Sequence, residues 1–138
     1  MTDLTATTEM TPAPAFDISA FEARDTAVLI VQNQKDDGPL LVNGNPVQFE
    51  LYGPGSKEYL NAQHKIEVAN QALTFAAIRG KPVKETVEGK LEKRANKLIT
   101  CTRSIDNFPV APKDLFMNPK LGYITDQVEK FIGDWANF

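Results

Sequence analysis

A chain of 138 residues, 42% of them hydrophobic and 24% charged, has the apolar material for one core of ordinary size and is too short for two. A formal charge of -3, a single cysteine (Cys101) and a single histidine (His64) argue against a protein built to neutralise phosphates, and exclude an internal disulfide or a Cys/His zinc cage.

Met1 to Ala15 holds five threonines and two prolines and little that could offset its conformational entropy, so residues 1–15 are expected to be a flexible arm and 16–138 one α+β domain. The arm lacks the basic start and apolar stretch of an export signal. No apolar run approaches the roughly 20 residues a membrane-spanning helix needs. A soluble, reducing compartment is expected.

Phe16, Ile18 and Phe21 fit either a short helical turn capped by Asp17 or an extended clasp. Thr26 to Gln32 is rich in branched apolar residues and predicts a buried strand. Leu40 to Val42 leads into Asn43-Gly44, a dipeptide suited to a hairpin turn. Val47 to Tyr52 alternates, placing Val47, Phe49 and Leu51 on one face. These stretches predict a small antiparallel sheet of two or three strands.

A three-helix unit should follow. Ser56 caps the first helix, in which Tyr59, Gln63, Ile66, Ala69, Leu73, Ala76 and Ala77 form a stripe and which Gly80 and Pro82 end. The second runs from about Lys84 to Thr102 with Val87, Leu91, Ala95, Leu98 and Ile99 inward, antiparallel to the first because the connection is short. Ser104 to Pro112 reads as an ordered loop, and Lys113 to Met117 as a possible extra turn. Asn118-Pro119 starts the last helix, whose face runs through Leu121, Ile124, Val128, Phe131, Ile132 and Trp135 to the C-terminus. The expected core includes Phe49, Leu51, Ile66, Leu73, Leu91, Leu98, Val128 and Phe131.

Reaction chemistry is sparse. His64 has no local acid or nucleophile beside it and reads as a surface or partner-facing residue. Cys101 reads as a small buried hydrophobe. Asp36-Asp37-Gly38 lacks the remaining oxygen ligands of a calcium loop, and Gly53-Pro54-Gly55-Ser56-Lys57 lacks the glycine spacing of a phosphate-binding loop; both read as turns. No catalytic residue, cofactor or metal site is assigned. The basic stretch Lys81 to Arg103, offset by Glu85, Glu88 and Glu92, reads as a solvated helix face, with a patch for an acidic partner segment as the sharper alternative. Phe108, Leu115, Phe116, Tyr123, Phe131, Trp135 and Phe138 are more apolar material than a short helix needs; most should be core, and a minority left exposed would make a patch of the sort used for partner binding or self-assembly.

The stretch Leu51-Tyr52-Gly53-Pro54-Gly55-Ser56-Lys57-Glu58-Tyr59, the helix ending Leu98 to Thr102, and the ending Leu121-Gly122-Tyr123-Ile124 through Phe131 to Phe138 resemble the tail assembly chaperones of long-tailed bacteriophages. The resemblance spans roughly Asp25 to Phe138. It implies a non-enzymatic protein, made in the cytoplasm of the infected bacterial host, that binds the tape-measure protein, helps recruit tail-tube protein and leaves before the virion is complete. A homo-oligomer is compatible with it. The family supplies no binding motif to carry over. The residues expected to face a partner are Phe116, Tyr123, Trp135 and Phe138, with Tyr59 and His64 on the first helix. The alternative is a structural virion component, such as a head-tail connector or tail-completion subunit.

Overall fold

The computed structural model describes residues 16–138; the arm expected over 1–15 lies outside the described residues. Strands β1 (Thr26–Ile30), β4 (Gln48–Tyr52) and β5 (Thr102–Asp106) form one antiparallel sheet in the order β1-β4-β5. Between β1 and β4, β2 (Leu41–Val42) and β3 (Asn45–Pro46) make a separate short hairpin. Helices α1 (Lys57–Ile78), α2 (Val87–Thr100), α3 (Pro112–Phe116) and α4 (Gly122–Ile132) complete the fold.

The alternation in the strands decides which side chains enter the core. Leu29, Phe49 and Ile105 stand opposite one another across the three strands, as do Val28, Glu50 and Ser104 on the other face. Phe49 and Leu51 are fully buried, whereas Val28 and Ile30 stay exposed. The β2–β3 turn carries Asn43 and Gly44 with φ of 52° and 79°, the pair of left-handed conformations that a two-residue hairpin matched to strand twist requires. Backbone bonds Val31 N–H to Val47, Leu40 N–H to Val31 and Val47 N–H to Leu40 tie this hairpin to the sheet.

The third strand comes from an unexpected place. Thr102 was expected to end the second helix and Ser104 to begin a loop, yet Thr102–Asp106 pairs with β4 directly after α2. The Thr102 hydroxyl donates to the Leu98 carbonyl at 2.7 Å, so the residue that closes the helix also opens the strand. A register shift between Glu50 and Leu51 accommodates the junction, as a bulge does where a strand bends.

Helix ends follow the sequence signals closely. Ser56, fully buried, accepts from the Tyr59 N–H at 3.1 Å and donates to the Gly53 carbonyl at 2.7 Å. Gly80 ends α1 with φ of 75°. The second helix starts three residues later than the periodicity predicted, because Thr86 caps it by accepting from the Gly89 N–H at 2.9 Å. Asn118 caps a 3-10 turn, Pro119–Leu121, that runs directly into α4.

The core gathers Val31, Val47, Phe49, Leu51, Ala62, Ala95, Leu98, Cys101, Leu115, Phe116, Ile124, Val128 and Ile132. Of the expected core residues, Phe49, Leu51, Leu98 and Val128 are in it. Ile66, Leu73, Leu91 and Phe131 are only half-buried. The first three lie on α1 and α2 away from the sheet, where these helices have little but each other to pack against. Gln127 pins α4 to the end of β1: its amide nitrogen donates to the Gln32 carbonyl at 3.0 Å, and its oxygen accepts from the Gln32 N–H at 2.7 Å.

Candidate functional site

The helical hairpin of α1 and α2 is antiparallel. Lys97 lies over the Tyr59 ring, 5.4 Å from its centroid, and the Lys93 ammonium is 3.5 Å from Asn70 Oδ1, so the start of α1 meets the end of α2. At 1.5 Å per residue, α1 is about 33 Å long and α2 about 21 Å. Among the described residues α1 packs chiefly on α2, and Ala62 is its one buried residue. A groove of about 350 Å³ lies between the two helices, where apolar Ala62, Ile66, Ala69 and Ile99 are joined by Lys65, Lys93 and Lys97.

α1 has two apolar stripes. The inner one, through Tyr59, Ala62, Ile66, Ala69, Leu73 and Ala76, is buried or half-buried. The outer one holds Leu60, Val68, Phe75 and Ile78, which are 57%, 50%, 57% and 75% exposed. With exposed His64 and Gln71 between them, these positions advance by steps of four, four, three, four and three, the spacing of one helix face. At 100° per residue the outer stripe lies opposite the inner one. Val83 and Val87, at the far end of the hairpin, are exposed as well.

Charge follows the same division. Between residues 57 and 100 the chain has nine Lys and Arg against five Glu, leaving the remainder of a net acidic chain strongly acidic. Lys93 pairs with Glu85 within the hairpin. Arg94 leaves it to bond Asp126 at 2.5 Å and Glu129 at 3.1 Å on α4. Burial works against the Arg94 charge, but these two carboxylates outweigh it and raise the guanidinium above its ordinary pKa.

The structure scatters the six expected partner-facing residues. Phe116 is 1% exposed and packs against Phe49 in the core, ring centroids 6.3 Å apart, so its ring has no face left for a partner. This corrects the expectation; Phe116 is on the inward side of a five-residue helix whose register the sequence leaves ambiguous. Tyr123 is half-buried. Trp135 and Phe138 are not on the last helix, which ends at Ile132; Asp134 instead caps a 3-10 turn over Trp135–Asn137. That turn folds the C-terminus back onto Gly53-Pro54-Gly55. A methyl group on Gly53 would lie 2.5 Å from the Phe138 ring, and one on Gly55 3.2 Å from the Trp135 ring. The Arg24 N–H donates to the Phe138 carbonyl at 3.0 Å, and Phe138 meets Phe131 edge-on with centroids 5.4 Å apart. Trp135 is still 61% exposed. Tyr59 is half-buried under Lys97, with its pKa raised by burial and by the neighbouring Cys101. His64 is exposed, on the outer stripe.

Leu60, Val68, Phe75 and Ile78 were not singled out from the sequence. Their signal was present as a second three-and-four spacing on the same helix, overlooked because the first stripe already accounted for that helix.

Among the described residues the chemically active side chains do not converge. Cys101 is buried, and its thiol is pushed up to about 11, first by burial and then by Glu58, with Lys97 opposing. The region around Asp36 is a turn in which Asn33 Oδ1 accepts from the Lys35 and Asp37 N–H groups. Among the described residues no group of three or more His, Cys, Asp or Glu is placed to hold a metal ion, and no helix is long and apolar enough to cross a membrane. No protein-family model, curated protein or solved structure matches this chain.

Proposed function

We propose that this protein is a phage tail assembly chaperone, acting in the cytoplasm of the infected host, that holds apolar helical segments of the tape-measure protein and helps recruit tail-tube protein. The observation that carries this reading is the outer stripe of α1: four large apolar side chains at helix-pairing spacing, facing solvent on a helix whose opposite side already makes the contacts that its own fold uses. An apolar helix stripe from another chain fits such a face by the side-by-side packing that amphipathic helices use. The basic character of the hairpin favours clients with acidic residues beside their apolar stripe.

Co-expression with the tape-measure protein tests the proposal. The soluble fraction of that partner should rise with the wild-type chain and not with a Val68→Ser, Phe75→Ser variant of unchanged circular dichroism. A partner no more soluble with the wild-type chain than without it would reject the reading. Mass spectrometry of purified virions separates it from the connector alternative, because a chaperone leaves the particle and a connector stays in it.

A further inference from the structure

A second exposed apolar surface lies in the same chain, and its charge is opposite to that of the stripe. Asp17 caps a 3-10 turn over Ile18–Phe21 by accepting from the Ser19 N–H at 3.1 Å. Phe16, Ile18 and Phe21 around this turn are 79%, 69% and 77% exposed, and the two phenylalanine rings stack with centroids 5.5 Å apart. Folded this way, the segment presents an apolar plate and leaves most of it exposed. Its flanking charges are Asp17, Glu22 and Asp25 against a single Arg24, whose Nε donates to the Phe138 carbonyl at 3.3 Å.

The outer stripe of α1 has the complementary rim. Lys57 and Arg79 lie on its side of the helix and Lys81 just past the helix end, against Glu67 alone, and among the described residues none of those three cations is in an ion pair. An acidic apolar plate and a basic apolar stripe, both uncovered in one chain, are the two halves of a head-to-tail contact.

We infer that the Phe16–Phe21 segment of one copy docks on the outer α1 stripe of a second copy. The contact is heterologous, so each copy gives one segment and offers one stripe, and copies add in sequence until a ring closes or the supply ends. This rests on the reading of the stripe as a helix-binding face and deepens it: the segment covers the stripe in the free protein and a client helix competes for the same place.

The test is sedimentation velocity on the full chain, without client, from roughly 1 to 200 µM, a range that brackets micromolar association. The expected result is a mass that grows past the dimer with concentration, and an association at least roughly tenfold weaker in 0.5 M than in 0.05 M salt, since the charges that steer it are exposed. A Phe16→Ser, Phe21→Ser variant retains its stripe, and a Val68→Ser, Phe75→Ser variant retains its segment. Each alone should stay monomeric with an unchanged circular dichroism spectrum, and the two mixed should form a 1:1 complex that grows no further. A wild-type chain that is monomeric throughout, an assembly that survives in either variant, or a mixture that does not combine would overturn the inference. The client assay reads the other question separately. Assembly in this pattern without client solubilisation leaves the docking in place and removes the chaperone reading, and solubilisation by a chain that never self-associates does the reverse.

Discussion

Helices α1 and α4 make different uses of similar material. α4 has 11 residues and buries Ile124, Thr125, Val128 and Ile132; α1 has 22 and buries Ala62. Both are rich in apolar side chains, but α4 lies against the sheet with Gln127 clamped to the Gln32 backbone, whereas α1 rests chiefly on another helix. A helix that carries large apolar groups on the side away from its main neighbour exposes hydrophobic surface that this packing does not use. The comparison separates a part of the molecule where apolar residues report stability from a part where, on the proposed function, they report binding.

The largest effect should come from the stability side. Leu98 is fully buried where α2 meets the sheet and Cys101. Leu98→Ala should cost about 2 to 5 kcal/mol, from lost transfer energy plus the cavity left behind. Urea unfolding measures it through the midpoint, and an unchanged midpoint would remove α2 from the core.

Cys101, in the same cluster, gives a pH test. Its folded pKa of about 11 exceeds the value of about 8.5 expected in an unfolded chain, so the native state keeps a proton that the unfolded state has released. The contribution of this thiol to stability is therefore full below about pH 8.5 and is lost as pH climbs to about 11. The difference in unfolding free energy between the wild type and Cys101→Ala should shrink over that window. Alkylation of the native thiol at neutral pH should be roughly 100-fold slower than that of an ordinary cysteine, because the thiolate is the reacting form. A native thiol that reacts at the ordinary rate would contradict its burial.

Gly53 tests the C-terminal closure. Its φ is unremarkable, and space alone excludes a side chain: a Cβ there would overlap the Phe138 ring at 2.5 Å. Gly53→Ala should cost about 1 to 3 kcal/mol as overpacking. Gly53→Ala in a Phe138→Ala background should cost markedly less, since the clash is then gone. A double-mutant cycle with no coupling would show that the ring and the turn do not meet in solution.

How much of this was legible follows the same division. Turns and caps were readable because each depends on two or three neighbouring residues: Ser56 as a cap, Asn43-Gly44 as a hairpin turn and Asn118-Pro119 as a start all appear as expected. Strand β5 was not, because Thr102 to Asp106 has a single large apolar residue, Ile105, and owes its conformation to the edge of β4 beside it. The reversal at Asp134 was hidden in a similar way. Trp135 continues the helical period of α4, and what diverts it is the Asp134 side chain accepting from the Ala136 N–H and the landing of Phe138 on Gly53, a contact across 85 positions of sequence. The candidate site was half legible. His64 reads as a surface or partner-facing residue and is exposed on the outer stripe, but the four apolar residues around it were not singled out, because helical spacing shows that a face exists and not how many faces a helix has.

The smallest stability effect should fall on that stripe, and its smallness is what makes it informative. Val68 and Phe75 are each exposed by half or more, so Val68→Ser and Phe75→Ser should each move unfolding by no more than about 0.5 kcal/mol, the range of surface substitutions that touch nothing specific. If burial in a partner is their task, the same changes should leave the denaturation midpoint in place and reduce association by at least roughly tenfold, the signature of residues that carry binding energy. A drop of several kcal/mol in stability would instead mean that α1 lies against something in its own chain, and the contrast with α4 would vanish. Leu98→Ala supplies the internal control, because a core substitution lowers stability first and binding only through it. The ratio of the two losses, taken residue by residue along α1, therefore marks where folding surface ends and binding surface begins.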